Sequence, residues 1–235
     1  MKDIYLSDRA RNVHRVVELA TNFVGGATDG FTATAASGTV AALTDAGGGV
    51  SLTTQAADNA AATLVSPAIV VLAAGRPIVF GANVLAAQAN TSALNIFIGL
   101  CSGTASAVLA DNGAGTPASY SGVGFFGVDG DTTMSLEVSV GSTQTTHRLT
   151  ADVSETGAAV LSGSSSYRLF EIEIHPKTSA LADVVFKIDG TVVKKITSWT
   201  YTSIADMQFG VVIKAGSTTA EVFQCNACYF AQVFA

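Results

Sequence analysis

The residues best suited to chemistry in this sequence are two glutamates and a histidine that alternate along one segment, Glu171, Glu173 and His175. On a β-strand, residues i and i+2 point to the same face and lie about 7 Å apart. Carboxylate pairs at such separations hydrolyse glycosidic bonds, one acting as acid and the other as base or nucleophile. The spacing is also typical of a strand with one apolar face and one charged, solvated face, and this interpretation explains every residue of the segment.

The same segment resembles the Glu-x-Asp-x-Glu strand of sandwich-fold glucanases, with Glu173 in place of the aspartate and His175 in place of the final glutamate. This departure puts an imidazole where a general acid is needed. Sugar clefts also need aromatic side chains for stacking, and the sequence has a single tryptophan, Trp199. We therefore predict no catalytic residues and expect that the chain is not an enzyme.

Cys225 and Cys228 form a Cys-x-x-Cys pair, a spacing found in zinc and redox sites. A zinc site needs further ligands, and the other candidates are scattered along the chain: Cys101, His14, His147 and His175. The pair falls in a predicted strand, where residues three apart face opposite ways. We therefore predict that both cysteines serve as small buried apolar side chains.

Oxygen ligands suited to calcium occur at Asp129-Gly-Asp131 and at Asp111-Asn112, but the ligand spacing of a dedicated calcium loop is missing. Turn chemistry explains both pairs. The sequence has neither a phosphate-binding loop nor a nucleophile-elbow motif. We predict no metal site and no cofactor.

Composition narrows the class of protein. Of the 235 residues, 13% are charged and 49% are hydrophobic, which excludes intrinsic disorder. A net charge of −6 argues against direct nucleic-acid binding, and no run approaches the roughly 20 apolar residues of a membrane span. The charged start predicts no signal peptide, and three cysteines do not suggest a disulfide framework. We expect synthesis in a reducing cytoplasm.

The elements that must position these residues are strands. From residue 29 onward, β-branched and aromatic runs alternate with turn residues at spacings of roughly 8 to 15 residues, which predicts an antiparallel sandwich. Asp189-Gly190 and Asp129-Gly130 are strong hairpin signals. The predicted strands are 50–54, 61–64, 78–85, 94–100, 123–128, 134–140, 145–149, 167–175, 184–188, 191–196, 207–214 and 221–234.

We predict that residues 1–28 form a separate arm and that residues 29–235 form one β-sandwich domain. Val13, Val16 and Val17 recur at helical spacing, with Ser7 as a possible N-cap, so the arm is predicted to be a short amphipathic helix or an extended segment. Such a helix is marginal by itself in water and needs a surface to pack on. That surface is either its own domain or a neighbouring subunit.

Seven segments occur along the chain in an order that resembles a known protein family. It runs through residues 50–59, 73–80, 95–100, 117–126, 167–172, 186–190 and 209–216. This order resembles the structural proteins encoded beside the major capsid protein of tailed bacteriophages, which are similar to concanavalin-like jelly rolls and serve as head decoration (cement) proteins. The resemblance covers roughly 29–233 and implies an all-β, antiparallel, concanavalin-like jelly-roll sandwich.

The resemblance also implies a function. A decoration protein binds the outer surface of the capsid head and bridges subunits of the phage major capsid protein as a homo-oligomer, either a trimer or a dimer. The low charge of this chain fits such an interface, because interface cores are depleted in charged residues. We expect the arm to contact the capsid or a sister subunit through Arg9, Arg11, Val13, Arg15, Val16 and Val17.

Three alternatives remain open from the sequence. The first is a carbohydrate-binding adhesin that holds a surface glycan through aromatic residues such as Tyr120, Trp199 or Tyr201. The second is a tail or fibre component, and the third is a hydrolase in which Glu171 acts on a polysaccharide.

Overall fold

The computed structural model describes residues 15–21, 23, 30–35, 38–43, 48–86, 94–112, 114–129, 134–149, 166–202, 204 and 206–234. Regular structure in these residues is β-strand, apart from a short 3-10 helix at Ala105–Val108. No helix of the described part has the length and apolar character needed to cross a membrane. The strands are β1 Arg15–Thr21, β2 Thr32–Ala35, β3 Gly38–Ala42, β4 Val50–Thr54, β5 Ala61–Val65, β6 Ile78–Ala86, β7 Leu94–Ser102, β8 Gly122–Gly127, β9 Ser135–Val140, β10 Thr143–Arg148, β11 Arg168–Pro176, β12 Leu181–Ile188, β13 Thr191–Thr200, β14 Met207–Ala215 and β15 Val222–Phe234.

The strands form two antiparallel sheets. The first has the order β13-β12-β11-β6-β15-β4-β3, and the second has the order β10-β9-β8-β7-β14-β5-β2. The long strand β15 pairs with β6 along one edge, and with β4 and then β1 along the other. The prediction of an all-β, antiparallel sandwich is confirmed.

Apolar side chains at alternate positions form the core between the sheets. Phe170, Ile172 and Ile174 of β11 are buried, as their alternation with charged residues predicts. Phe209 of β14 lies at the centre of an aromatic group, with its ring centroid 4.8 Å from that of Phe80 and 5.4 Å from that of Phe230. Burying each such ring contributes about 2–3 kcal/mol.

The hairpin signals are confirmed. Asp189 and Gly190 join β12 to β13 with φ angles of 50° and 80°, the left-handed conformation that a two-residue hairpin turn requires. The Asp189 carboxylate accepts a hydrogen bond of 2.8 Å from the Leu169 N–H and pairs with Arg168, which ties the turn to β11. Strands β8 and β9, on either side of Asp129-Gly130, pair as predicted.

The helical interpretation of the arm is wrong where the arm is described. Residues Arg15–Thr21 form β1, which pairs with β15 in a register that sets Val16 opposite Val233 and Thr21 opposite Cys228. Two physical reasons favour a strand here: valine is β-branched, and β15 offers an unpaired edge beyond β4. The division of the chain at residue 28 stays a prediction.

A loop covers the outer face of the second sheet. Residues between β7 and β8, including the 3-10 helix and Tyr120, pack against Phe97, Phe126 and Val212 in a second buried apolar cluster. The described residues form no comparable apolar cluster on the outer face of the first sheet.

Candidate functional site

Strand β11 presents Glu171, Glu173 and His175 on the outer face of the first sheet, as their alternation predicts. The strand lies between β6 and β12, near the middle of the sheet. Both glutamates are half-buried, whereas His175 is exposed. The two carboxylates therefore share one face and one strand.

Tyr229 of β15 reaches Glu171 across Gly81 of β6. The register places Glu171 and Tyr229 on opposite sides of Gly81, and the Tyr229 hydroxyl donates a hydrogen bond to the Glu171 carboxylate. A Cβ at Gly81 would lie 2.6 Å from the phenol oxygen, so only glycine leaves room for the ring. Burial, the hydrogen bond and the charges of Glu171 and Glu173 raise the pKa of Tyr229 well above its ordinary value. Tyr229 therefore acts as a hydroxyl donor at neutral pH.

Glu173 is held by cationic and imidazole neighbours. The Lys187 ammonium of β12 lies 2.5 Å from one carboxylate oxygen, and His175 Nε2 lies 3.4 Å from the other. Burial raises the pKa of Glu173, but hydrogen bonds and charge from Lys187 and His175 outweigh burial, so the pKa falls below its ordinary value. Glu173 is ionised at neutral pH and is suited to accept hydrogen bonds.

Two further polar contacts continue the same face towards the start of β11. The Tyr167 hydroxyl donates to Gln224 Oε1 at 3.0 Å, and Asn83 Nδ2 donates to Asn226 Oδ1 at 2.7 Å. We use the name polar face for this set of outer side chains: Asn83, Tyr167, Glu171, Glu173, His175, Lys187, Gln224 and Tyr229.

The polar face combines carboxylate acceptors, amide and hydroxyl groups, and two phenol rings. Such groups can bind a polyhydroxylated ligand by hydrogen bonding and ring contact. Tyr229 and Lys187 were missed by sequence reasoning, because neither belongs to a motif. Only the strand register reveals that they meet the glutamates.

The aromatic residues that the sequence suggested for glycan stacking lie elsewhere, and that prediction is wrong. Tyr120, Trp199 and Tyr201 are only 7%, 6% and 3% exposed. Tyr120 belongs to the loop that covers the second sheet and packs on Phe97, and Trp199 packs on Tyr201 with ring centroids 5.9 Å apart. These rings stabilise the fold and have no free face for a ligand.

Cys225 and Cys228 are buried, as predicted, but they do not face opposite ways. A β-bulge at Asn226 inserts one residue into the register of β15 with β6, so both side chains point into the core. Their sulfur atoms lie 3.4 Å apart. Burial raises the pKa of Cys228 well above that of a free thiol, and contact with Cys225 adds to the effect.

The residues predicted to contact a capsid or a sister subunit are only partly described. Arg9, Arg11 and Val13 lie outside the described residues. Arg15 and the following two residues, Val16 and Val17, belong to β1, where the backbone pairs with β15. The predicted contact surface therefore lies largely outside the described residues, and the contact role of these six residues stays a prediction.

A shallow depression of about 370 Å³ lies on the outer face of the second sheet. Its lining contains small and hydroxyl-bearing side chains and one amide, with neither a charged group nor an aromatic ring among the described residues: Thr34, Ala61, Thr63, Val65, Gly103, Thr104, Ala105, Ser106 and Gln208. It offers a sugar fewer contacts than the polar face does, and we call it the reference depression.

Comparisons with known proteins identify the fold. Peanut lectin is similar with a TM-score of 0.56 and 13% identity, covering 94% of this chain and 99% of the lectin. Endo-β-1,4-glucuronan lyase from the fungus Trichoderma reesei has a TM-score of 0.56 and 12% identity, covering 82% of this chain and 86% of the lyase. Endo-1,3-β-glucanase from Streptomyces sioyaensis has a TM-score of 0.53 and 9% identity, covering 81% and 78%.

These likenesses show that the sandwich is a concanavalin-like jelly roll of the lectin and glucanase kind, which confirms the predicted fold class. At such low identity they show the fold alone. No protein-family model matches the sequence, and no curated protein matches it either.

The comparisons overturn the prediction that the chain is not an enzyme. Two of the structures with this fold are enzymes, a lyase and a glucanase. That prediction was based on missing motifs and on the departure at His175, and a motif of one family is not required of every enzyme with the same fold.

Proposed function

We propose that this chain is a carbohydrate-binding protein and that the polar face is its binding surface. The observation that carries the proposal is the row formed by Glu171, Gly81 and Tyr229, in which a carboxylate and a phenol meet across a glycine at the middle of the first sheet. The lectin-like fold supports the same interpretation, since peanut lectin shares it. The sequence alternative of a carbohydrate-binding adhesin is therefore favoured over the other functions considered.

The charges on the polar face favour a neutral glycan. The face carries two carboxylates, Glu171 and Glu173, and one lysine, Lys187, whose ammonium is already paired with Glu173. Uronic acid or sulfate groups would be repelled by the remaining negative charge, whereas neutral hydroxyl groups can donate to it. We therefore expect preference for neutral hexose chains over anionic ones.

The groups of the polar face contribute to binding in two ways, as hydrogen-bond acceptors and as apolar ring surface. Glu171 accepts from sugar hydroxyl groups while the Tyr229 hydroxyl fixes its orientation. Glu173 acts in the same way and is fixed by Lys187. The half-buried rings of Tyr229 and Tyr167 supply apolar surface beside these polar groups.

A glycan array probed with the full chain tests the proposal, using neutral, uronic and sulfated glycans in parallel. Glu171→Gln and Tyr229→Phe each remove one polar contribution with little change of shape. We expect each to weaken binding of a neutral glycan by about tenfold or more, the usual effect of losing a hydrogen bond to a charged group. Gln208→Ala, in the reference depression of the second sheet, is the matched control and should bind like wild type.

The same samples should be assayed for new reducing ends and for unsaturated sugar products, because the fold also occurs in a glucanase and a lyase. Cleavage that Glu171→Gln abolishes would extend the function from binding to catalysis at the polar face. Absence of binding to every glycan class, or equal loss in Gln208→Ala and Glu171→Gln, would refute the proposal.

A second proposal is head decoration of a tailed bacteriophage. It is supported by the order of segments that resembles decoration proteins and by a charged fraction of only 13%. In this function the chain would bind the major capsid protein on the outside of the virion as a trimer or dimer. None of the three similar structures named above is a virion protein, so this proposal ranks second.

Copy number on purified particles tests the second proposal directly. Deleting residues 1–14 removes Arg9, Arg11 and Val13 but leaves strand β1 intact, so the fold should persist. We expect many copies on the head and reduced occupancy after the deletion. Absence of the protein from particles would refute this function, and undiminished occupancy would exclude the arm from it.

A further inference from the structure

Cys225 and Cys228 lie on either side of the β-bulge in β15, and both side chains face the core. The bulge inserts Asn226, so residues three apart point to the same side of the strand. The two cysteines are 0% and 1% exposed, and both are free thiols. The inserted Asn226 accepts a hydrogen bond from Asn83 of the polar face. The bulge therefore places two thiols side by side directly behind that face.

The two sulfur atoms are in contact, with 3.4 Å between Cys225 Sγ and Cys228 Sγ. A disulfide bond is about 2.05 Å long, so the sulfur atoms need to approach each other by about 1.4 Å. The Cys225 thiol also donates a hydrogen bond to the Ala227 carbonyl at 3.4 Å. Thiols make only weak hydrogen bonds, so a bond between the two sulfur atoms would sacrifice little polar contact.

The third cysteine belongs to a different part of the core. Cys101 of β7 is buried in the apolar cluster of the second sheet, beneath the loop, whereas Cys225 and Cys228 belong to the core between the sheets. Burial raises the pKa of Cys101 to about 12. Cys101 therefore serves as an internal reference thiol for the other two.

We propose that Cys225 and Cys228 form a disulfide when the chain folds in the presence of a low-molecular-weight disulfide such as glutathione disulfide, and that the native fold then protects this bond. One cysteine thiolate attacks glutathione disulfide and releases one glutathione thiolate, which leaves a mixed disulfide on the protein. The other cysteine thiolate attacks the protein sulfur of that mixed disulfide and releases the second glutathione. Two protein thiols are oxidised, one glutathione disulfide is reduced, and both protons pass to the leaving thiolates. The proposal does not depend on carbohydrate binding.

Burial determines when this exchange takes place. In the unfolded chain both thiols are accessible and ionise as free thiols do. In the folded chain, burial and contact with Cys225 raise the pKa of Cys228 well above that of a free thiol, and only the thiolate attacks. Access also requires local opening of β15, which pairs with β6 along one edge and with β4 and β1 along the other. The folded chain therefore keeps the redox state in which it folded.

Refolding of the full chain from denaturant tests the proposal, once in a mixture of reduced and oxidised glutathione and once in excess dithiothreitol. The products are denatured again, free thiols are alkylated with N-ethylmaleimide, and intact mass and peptide mapping count and locate them. We expect one free thiol, Cys101, after oxidative refolding and three after reductive refolding. The bridged form should have a Tm a few degrees higher, since a covalent link restricts the unfolded chain. The native reduced chain should oxidise at least about tenfold more slowly than the unfolded chain in the same mixture.

Two variants serve as controls. Cys101→Ser should still form the bridge and retain no free thiol, whereas Cys228→Ala should leave both remaining cysteines free. If Cys228→Ala fails to fold, the peptide maps of wild type and Cys101→Ser still decide. A natively folded chain that keeps all three thiols after oxidative refolding, a bridge that includes Cys101, or glutathione left on Cys225 or Cys228 would overturn the proposal. A lower Tm of the bridged form, or equally fast oxidation of the native and unfolded chains, would overturn it as well.

Discussion

Adding one methyl group at Gly81 tests whether the polar face depends on the contact of Gly81 with Tyr229. The alanine Cβ would lie 2.6 Å from the phenol oxygen and closer still to two ring carbons, whereas ordinary contacts begin at 3.4 Å. The backbone of Gly81 cannot shift away from the ring, because β6 is hydrogen-bonded on both sides, to β11 and to β15. The Tyr229 ring must therefore move by about 1 Å, and its hydrogen bond to Glu171 breaks.

The expected magnitude follows from three contributions. Overpacking a filled site costs about 1–3 kcal/mol. The lost hydrogen bond adds about 1 kcal/mol, and the reduced chain entropy of alanine relative to glycine recovers up to about 1 kcal/mol. We expect Gly81→Ala to lower the free energy of unfolding by about 2 kcal/mol, which lowers Tm by about 4–8 °C in a domain of this size.

A double-mutant cycle isolates the contact. Urea unfolding is measured for wild type, Gly81→Ala, Tyr229→Ala and the double variant. We expect the alanine at position 81 to be neutral or stabilising once the Tyr229 ring has been removed. An equal cost of Gly81→Ala with and without the ring, or no cost in wild type, would refute the reasoning.

Three further predictions concern the fold and its charges. Phe209→Ala should cost about 3–5 kcal/mol in urea unfolding, because it removes the ring at the centre of the core aromatic group, and Phe209→Leu should cost less. Asp189→Ala should cost about 1–2 kcal/mol by losing the turn's hydrogen bond and by straining a left-handed residue, whereas Asp189→Asn should retain most of the stability. The pKa of Glu173 is lowered in the folded chain, so its stabilisation is present above the unfolded value of 4.5 and is lost as pH falls through the lower folded value. Glu173→Gln should therefore flatten the acid limb of a plot of unfolding free energy against pH.

Each of these has a contradicting result. A cost below about 1 kcal/mol for Phe209→Ala would mean that the core is less closely packed than the ring distances indicate. If the alanine and asparagine variants of Asp189 lose the same free energy of unfolding, the hydrogen bond and the left-handed conformation of the turn do not contribute to stability. An unchanged acid limb in Glu173→Gln would mean that the contact with Lys187 does not favour the ionised carboxylate.

The strands were predictable because alternation is a local signal. Each of the twelve predicted strands occurs, with ends that differ by a few residues, and residues 50–54 match β4 at both ends. Strands β2 and β3 were not assigned, because Ala, Thr and Gly dominate their segments and give a weak pattern. For β1 the sequence left a helix and an extended segment open, because its valines also fit a helical spacing, and pairing with β15 favours the extended form.

The candidate site was predictable only in part. The outward direction of Glu171 and Glu173 follows from alternation on their own strand. Their partners do not, since Tyr229 and Lys187 reach them through register between strands that are separate in sequence. The bulge that turns Cys225 and Cys228 to one side has no local signal in the sequence, and it reversed a prediction based on strict alternation.

The most direct test of the central claim is a crystal structure of the full chain with a neutral oligosaccharide that scores on the glycan array. We predict that the sugar lies across β11, β6 and β15, with hydroxyl groups within hydrogen-bond distance of Glu171 and Glu173 and a sugar ring beside Tyr229. A sugar bound in the depression of the second sheet, or on loops away from these strands, would contradict the claim.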